Sequence, residues 1–273
     1  MTKRKLKNSL LSAEATGGDI AESGFQYQAS LIASRVPYWL KHDGFTEAIQ
    51  EALGDVEASF FVPERGICRE FVEYKNHRLT PSEFWPEIER FWEMDKTSPE
   101  AYCKFVLACK DVSDDIKSML NALRRVRDAY PFYQNASAIQ NSSFSDFETI
   151  VNNLYQKEDV SNFLFDKVFF EIDLTDAENY AREKFRDALY NCFPELQNFT
   201  AKAGSEAFSN VAELIKNRRN KPIHRNDLEL AITHAVESNY KLVKNIRLHT
   251  RSYVKNCVKS PREKYPSVEQ KFA

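Results

Sequence analysis

The sequence predicts an α/β protein with a mixed central sheet flanked by helices and a helix-rich C-terminal part. Three strand-like blocks, at residues 54–62, 69–75 and 102–109, fall within the first 112 residues, and helical patterns surround them. The chain has 273 residues, of which 42% are hydrophobic. It is therefore long enough to bury a sizeable core and too apolar for a disordered protein. We expect a helix-rich remainder around one more strand at 165–174.

The first elements are a helix and a hairpin. Residues 19–40 carry apolar side chains at helical spacing, among them Phe25, Ile32 and Val36, and Pro37 is expected to kink or end this helix. The blocks 54–62 and 69–75 are separated by about six residues that include Pro63 and Gly66, which is typical of an antiparallel hairpin.

A helix and a buried strand come next. Thr80, Pro81 and Glu83 have the spacing of a capping box with proline in the first turn, so a helix begins there. Residues 102–109 are apolar on both faces, which indicates a central position in the sheet. Helices are predicted at 114–130, 145–155, 176–191, 203–219 and 225–250.

Charge and cysteine usage exclude several classes of protein. The formal net charge is −2, which argues against a strongly basic nucleic-acid coat protein. Residues 241–273 nevertheless hold nine Lys/Arg against two Asp/Glu, so a basic C-terminal segment follows an acidic body. This segment is interpreted as a DNA-facing strip or as a docking tail. The five cysteines form no C-x-x-C pair and no glycine-rich phosphate loop is present, so neither a structural zinc site nor a P-loop is predicted.

The residues that could carry chemistry lie on the predicted hairpin. Glu73 and Lys75 are two residues apart on one strand and so share a face, and the partner strand can bring Asp55 beside them. Two carboxylates on one buried face are costly without a compensating partner. Mg²⁺ resolves this cost, because it binds one or two carboxylates together with water and a phosphate oxygen. Lys75 could then orient a metal-bound water or stabilise a phosphoryl transition state.

The order of these residues resembles the PD-(D/E)xK nuclease superfamily. Gln28 lies on the apolar stripe of the first helix, where a polar amide needs partners. A helix with Gly24-Phe25-Gln26-Tyr27-Gln28, an acidic strand entry at Gly54-Asp55 and then Glu73-Tyr74-Lys75 is similar to restriction-type nucleases of the Mrr kind. More narrowly, it is similar to the Cap-four-type effector endonucleases of antiphage systems such as CBASS and Lamassu. Residues 220–228 resemble the basic turn of that family.

This resemblance implies a restriction-endonuclease-like core and a specific function. The chain would be a metal-dependent endodeoxyribonuclease, a bacterial cytoplasmic defence effector that uses Mg²⁺ or Mn²⁺ on double-stranded DNA. A sensor partner, such as an SMC-like ATPase, and assembly into a homo-oligomer would activate it. Asp55, Glu73 and Lys75 would be catalytic, with Asp55 and Glu73 on the metal and Gln28, Glu57 and His77 as accessories. Candidate DNA contacts are Lys216, Arg218, Arg219, Lys221 and Arg225.

Other features leave alternatives open. The acidic residue that often precedes the strand aspartate is Gly54 here, so Glu51 or Glu57 could complete the metal shell. The predicted organisation is a basic arm at 1–17, the nuclease domain at 18–235 and a basic helical segment at 236–273. That last segment is too short for a sensing domain, so either the chain is a fragment or sensing belongs to a partner. The alternative function is a non-catalytic, nuclease-like subunit that serves as an assembly scaffold, and an RNA-directed nuclease would share the same site.

Overall fold

The central sheet is mixed, as the sequence predicts. A computed structural model of the chain describes residues 25–63, 65–157, 159–172, 174, 176–194 and 200–238. Within these residues one sheet has strands β1 (Phe45–Gln50), β2 (Val56–Val62), β3 (Gly66–Leu79), β4 (Tyr102–Val112), β5 (Val168–Glu171) and β6 (Ile223–His224). Across the sheet the strands follow the order β5-β4-β3-β2-β1-β6.

The long strand β3 joins an antiparallel half of the sheet to a parallel half. It pairs antiparallel with β2, which confirms the predicted hairpin, and the turn ends at Gly66 with φ of +79°, a conformation that glycine adopts without strain. On its other side β3 pairs parallel with β4, and β4 pairs parallel with β5. The interior position predicted for β4 is therefore confirmed.

Helices cover both faces of the sheet. In chain order they are α1 (25–33), α2 (Val36–Lys41), α3 (Pro81–Thr97), α4 (Asp114–Ala129), α5 (Ser137–Leu154), α6 (Val160–Lys167), α7 (Ala177–Cys192), α8 (Ala201–Asn217) and α9 (225–238). One apolar core lies between the sheet and helices α1, α2, α7, α8 and α9. A second core lies between the opposite sheet face and helices α3 to α6.

The capping box predicted at the start of α3 is present. The Glu83 carboxylate accepts a hydrogen bond from the Thr80 backbone N–H at 2.9 Å, and the Thr80 side chain in turn caps the N3 position. Pro81 occupies the first turn, where its missing N–H has no helical partner to lose. The helix thus begins where the sequence predicts, directly after β3.

The structure corrects several of the predicted elements. The helix predicted at 19–40 is interrupted near Pro37, but the chain turns earlier, at residues 34–35, and Pro37 sits in the first turn of the new helix α2. Residues 165–167, the start of the strand predicted at 165–174, belong to α6, because a short apolar run fits a helix or a strand equally well. Strands β1 and β6 were not predicted, and β6 has only two residues, too few for a periodic signal.

Some predictions fall outside the described residues. The basic arm at 1–17 and all of residues 239–273 belong there, so the structure does not test them. Across the described part of the chain, no helix is both long enough and apolar enough to cross a membrane.

Candidate functional site

Three elements bring the predicted site residues together. Helix α1 carries Gln28, the loop before β2 carries Asp55, and β3 carries Glu73 and Lys75. Gln28 Nε2 donates a hydrogen bond to Asp55 Oδ1 at 2.6 Å, and Lys75 Nζ donates to Glu73 Oε1 at 2.9 Å. The four residues therefore form one polar cluster at the junction of α1 and the hairpin.

Asp55 is held by two donors in a partly buried position. The Tyr74 backbone N–H donates to Asp55 Oδ2 at 2.6 Å, while Gln28 holds the other oxygen. Burial, with a smaller contribution from the nearby Glu73 carboxylate, raises the pKa of Asp55 to about 6 against the lowering effect of the Tyr74 hydrogen bond. Gln28 Oε1 is buried and accepts no hydrogen bond within the described residues. An acceptor oxygen beside Asp55 is thus left for a further group.

Helix α3 adds two charged residues that the sequence reasoning missed. Lys75 Nζ lies 2.6 Å from Glu87 Oε1, and Arg90 Nη2 lies 2.7 Å from Glu73 Oε2 and 2.8 Å from Glu87 Oε2. The i, i+3 spacing of Glu87 and Arg90 on the helix face toward β3 was the available signal. Burial lowers the pKa of Lys75, but its hydrogen bonds to Glu87 and Glu73 outweigh that effect and raise it above the ordinary value.

The resulting cluster is internally paired and still carries a net negative charge. Three carboxylates, of Asp55, Glu73 and Glu87, face two cations, Lys75 and Arg90. The Glu73 side chain is only 13% exposed and is not directed to bulk solvent. The described residues contain no ready group of three or more His, Cys, Asp or Glu that could hold a metal ion.

Gly54 has a packing role in place of the missing acidic residue. A Cβ atom built on Gly54 would lie 2.3 Å from Cζ of the buried Phe71 ring, so no larger side chain fits without movement. Glu51 instead has a left-handed backbone, with φ of 54°, and forms an ion pair with Arg219.

The structure places Glu57 and His77 in contacts of their own. Glu57 Oε1 accepts from the Leu53 backbone N–H at 3.0 Å and so closes the loop before β2. His77 Nε2 lies 3.5 Å from Glu83 Oε1 at the start of α3, and its side chain is half exposed. Their accessory roles stay a prediction.

Some of the residues predicted to contact DNA form contacts within the protein. Arg225 donates to the backbone oxygens of Leu40 and His42, at 2.7 and 3.1 Å, and so anchors α9 to the end of α2. The Arg219 guanidinium lies 3.7 Å from the Phe25 ring centre. DNA contact by Lys216, Arg218, Arg219, Lys221 and Arg225 remains a prediction.

Two curated proteins are similar to the chain over most of its length. CD-NTase-associated protein 4 of Moraxella osloensis is 32% identical over 230 residues, which cover 84% of this chain and 48% of the relative. The protein of the same name from an Acinetobacter species is 30% identical over the same share. The chain spans about half the length of these relatives. No family model matches it.

Solved structures show the same relationship. The Moraxella osloensis Cap4 SAVED/CARF-domain containing receptor superposes with a TM-score of 0.66 at 26% identity, over 80% of this chain and 49% of that one. The Acinetobacter baumannii Cap4 receptor, solved with the cyclic trinucleotide 2′3′3′-cAAA, gives 0.66 at 25% identity, over 80% and 46%. The resemblance to Cap-four-type proteins of antiphage systems is thus confirmed, as is a mixed α/β fold.

The comparisons overturn the predicted activity. The prediction of a Mg²⁺-dependent endodeoxyribonuclease effector was wrong, because the solved structures that match the chain are described as receptors, two of them with a cyclic trinucleotide. The internal pairing of the cluster agrees with this correction. Both Glu73 oxygens contact cationic side chains of the protein itself, so a divalent metal is not needed to offset their charge.

Proposed function

We propose that the chain acts in antiphage defence as a receptor-class protein that responds to a cyclic trinucleotide. The observation that carries the proposal is the match over 80% of the chain to Cap4 receptors, one of which holds 2′3′3′-cAAA. Two curated relatives at 32% and 30% identity support the same relationship. Of the three functions that the sequence suggested, this proposal is closest to the non-catalytic subunit.

A thermal-shift experiment tests the proposal. A ligand that binds only the folded state raises the unfolding temperature in proportion to the logarithm of its concentration. We expect 2′3′3′-cAAA to raise the unfolding temperature of the chain, and a linear triadenylate of the same composition to leave it unchanged. Equal shifts with both, or no shift with either at millimolar concentration, would contradict the proposal.

We further propose that the α/β core of the chain is a restriction-endonuclease-like core. The way in which Gln28, Asp55, Glu73 and Lys75 meet at the hairpin supports it. In this proposal the core is a scaffold on which a receptor is assembled. Homo-oligomer formation, DNA contact and an SMC-like ATPase partner stay predictions.

The same cluster is our candidate site for Mg²⁺ or Mn²⁺. Asp55 offers a carboxylate that forms no ion pair among the described residues, and Gln28 offers a buried amide oxygen without a hydrogen-bond partner there. Glu73, the other predicted ligand, already contacts Lys75 and Arg90 through both of its oxygens, yet the cluster has one carboxylate more than it has cations. Mg²⁺ in proteins binds hard oxygen atoms, often from one or two carboxylates with water. The residues present therefore fit such an ion, which would add positive charge at Asp55.

Manganese binding tests this site without an activity assay. We expect Mn²⁺ to lose its free-ion electron paramagnetic resonance signal when titrated with the wild-type chain. Asp55→Asn should weaken this binding at least tenfold, and Glu83→Gln, a matched change at an exposed carboxylate, should leave it unchanged. Equal affinity of Mn²⁺ for wild type and Asp55→Asn would contradict the assignment.

A further inference from the structure

A second charged cluster lies on the opposite face of β3, beside a cleft. The cleft has a volume of about 530 Å³ and lies between α2, α7 and the strands β2 to β5. Pockets for small molecules typically measure about 300–1,000 Å³. The side chains that matter most for its chemistry are Arg35, Tyr38, Glu70, Lys104, Glu171 and Lys184.

The cleft wall is a network of ion pairs built on a buried arginine. The Arg35 side chain is only 6% exposed; its Nη1 lies 2.6 Å from Glu70 Oε1, and its Nη2 lies 2.7 Å from Glu171 Oε1. Lys104 Nζ lies 3.2 Å from Glu70 Oε2, and Lys184 Nζ lies 2.8 Å from Glu171 Oε1. Each carboxylate thus holds two cations.

This network of ionised side chains has a net charge of +1. Three cations, Arg35, Lys104 and Lys184, face the two carboxylates of Glu70 and Glu171. An uncompensated charge in a partly desolvated wall is unfavourable unless a counter-charge approaches. The side chains of Lys104 and Lys184 are 34% and 20% exposed, and an ammonium group has three donors, so both can still donate to a ligand.

Aromatic side chains lie beside the cationic wall. Tyr38 on α2 is 50% exposed and lines the cleft, and His42, the residue that follows this helix, packs edge-on against Phe60 with ring centres 5.1 Å apart. A solvent-accessible aromatic face beside ammonium groups suits a ligand that combines a flat ring with an anion. A phosphodiester or a singly ionised phosphate supplies the single negative charge that the network lacks.

We propose that this cleft binds a nucleotide, with its phosphate between Lys104 and Lys184 and its base against Tyr38. The site is separate from the Asp55 cluster, since Glu70 and Tyr74 point to the sheet face that α2 covers, whereas Glu73 and Lys75 contact α3. The proposal does not depend on the proposed function, because a free mononucleotide and a unit of a larger nucleotide share this chemistry.

Calorimetric titration of the chain with AMP, inorganic phosphate and 2′3′3′-cAAA tests the proposal and separates these sources. We expect AMP to bind, and Lys104→Gln and Lys184→Gln each to weaken it by about tenfold or more. Lys96→Gln is the matched control, because Lys96 belongs to α3 on the opposite sheet face, and it should have no effect. If 2′3′3′-cAAA binds more tightly than AMP and is weakened by the same two lysine changes, the natural ligand of the cleft is the cyclic trinucleotide.

Tyr38→Ala separates nucleotide binding from general anion binding. The residue is half exposed, so this change should leave folding intact, as circular dichroism would check. Base stacking on an aromatic ring contributes enough for us to expect a roughly tenfold loss of AMP affinity. Phosphate affinity should not change. No binding of AMP or of the cyclic ligand, binding that is independent of both lysines, or an equal effect of Tyr38→Ala on AMP and phosphate would overturn the proposal.

Discussion

At the scale of single residues, Asp55 combines a short pair of hydrogen bonds with an unfavourable electrostatic environment. Its folded-state pKa of about 6 lies above the ordinary value of 3.8. The folded chain therefore binds the proton more tightly than the unfolded chain does. The stability that this protonation contributes is complete below about pH 4 and is lost as the pH rises through 6.

The first prediction follows from the direction of this pKa shift. The free energy of unfolding of the wild type, minus that of Asp55→Asn, should fall by about 2–3 kcal/mol between pH 4 and pH 7.5, since the variant lacks the titrating group. Urea unfolding at the two pH values measures this difference. A difference that is the same at both would show that Asp55 titrates normally in the folded chain.

The second prediction concerns Gly54. A methyl group there would meet the Phe71 ring, so Gly54→Ala should lower the free energy of unfolding by about 1–3 kcal/mol. Gly204→Ala is the matched control, because Gly204 lies in α8 beside flexible side-chain atoms of Arg186 and Tyr190, and alanine there favours the helix by up to about 1 kcal/mol. Chemical denaturation should show a clearly larger loss of stability for Gly54→Ala than for Gly204→Ala; an equal or smaller loss for Gly54→Ala would refute the packing role.

At the scale of the elements, β3 organises both polar clusters through its pleat. Glu70 and Tyr74 lie on the face toward α2, and Glu73 and Lys75 lie on the face toward α3, because successive side chains of a strand alternate. The sequence predicted the second pair, since an acidic strand residue two positions before a lysine is a recognisable pattern. It did not predict the first pair, whose partners Arg35 and Lys104 come from distant segments.

The third prediction tests the network around Arg35. Arg35→Met leaves two largely buried carboxylates without their shared cation, so it should lower the free energy of unfolding by about 3–5 kcal/mol. Arg35→Met combined with Glu70→Gln should recover part of that loss, because one uncompensated charge is removed. Equilibrium unfolding of Arg35→Met, of Glu70→Gln and of the double variant measures the coupling, and strictly additive effects would mean that Arg35 and Glu70 do not interact.

The sequence predicts an element boundary well when local residues mark it, and poorly when distant segments determine it. The start of α3 is marked by local chemistry at Thr80 and Glu83 and is correct. Strand β6 pairs with β1 through only two residues, Ile223 and His224, and depends on where α8 places the chain. Its position is a product of tertiary packing, which no local pattern encodes.

At the scale of the whole molecule, the layered α/β fold was predictable and the function was not. Alternating strand and helix patterns determine the sheet with a core on each face. The chain folds in the same way as half of a Cap4 receptor, and the residues resemble a nuclease site, yet similar sites occur in proteins with different functions. The match to receptors, rather than the residue pattern, decided against the enzyme.

The fourth prediction, on which the central claim depends, is direct binding of a cyclic trinucleotide. Titration calorimetry of the chain with 2′3′3′-cAAA should give a saturable isotherm, and the linear triadenylate should give none under the same conditions. Binding of the cyclic ligand, whatever its response to the lysine variants, would support a receptor. A flat titration with 2′3′3′-cAAA at millimolar ligand, from protein shown by circular dichroism to be folded, would contradict it.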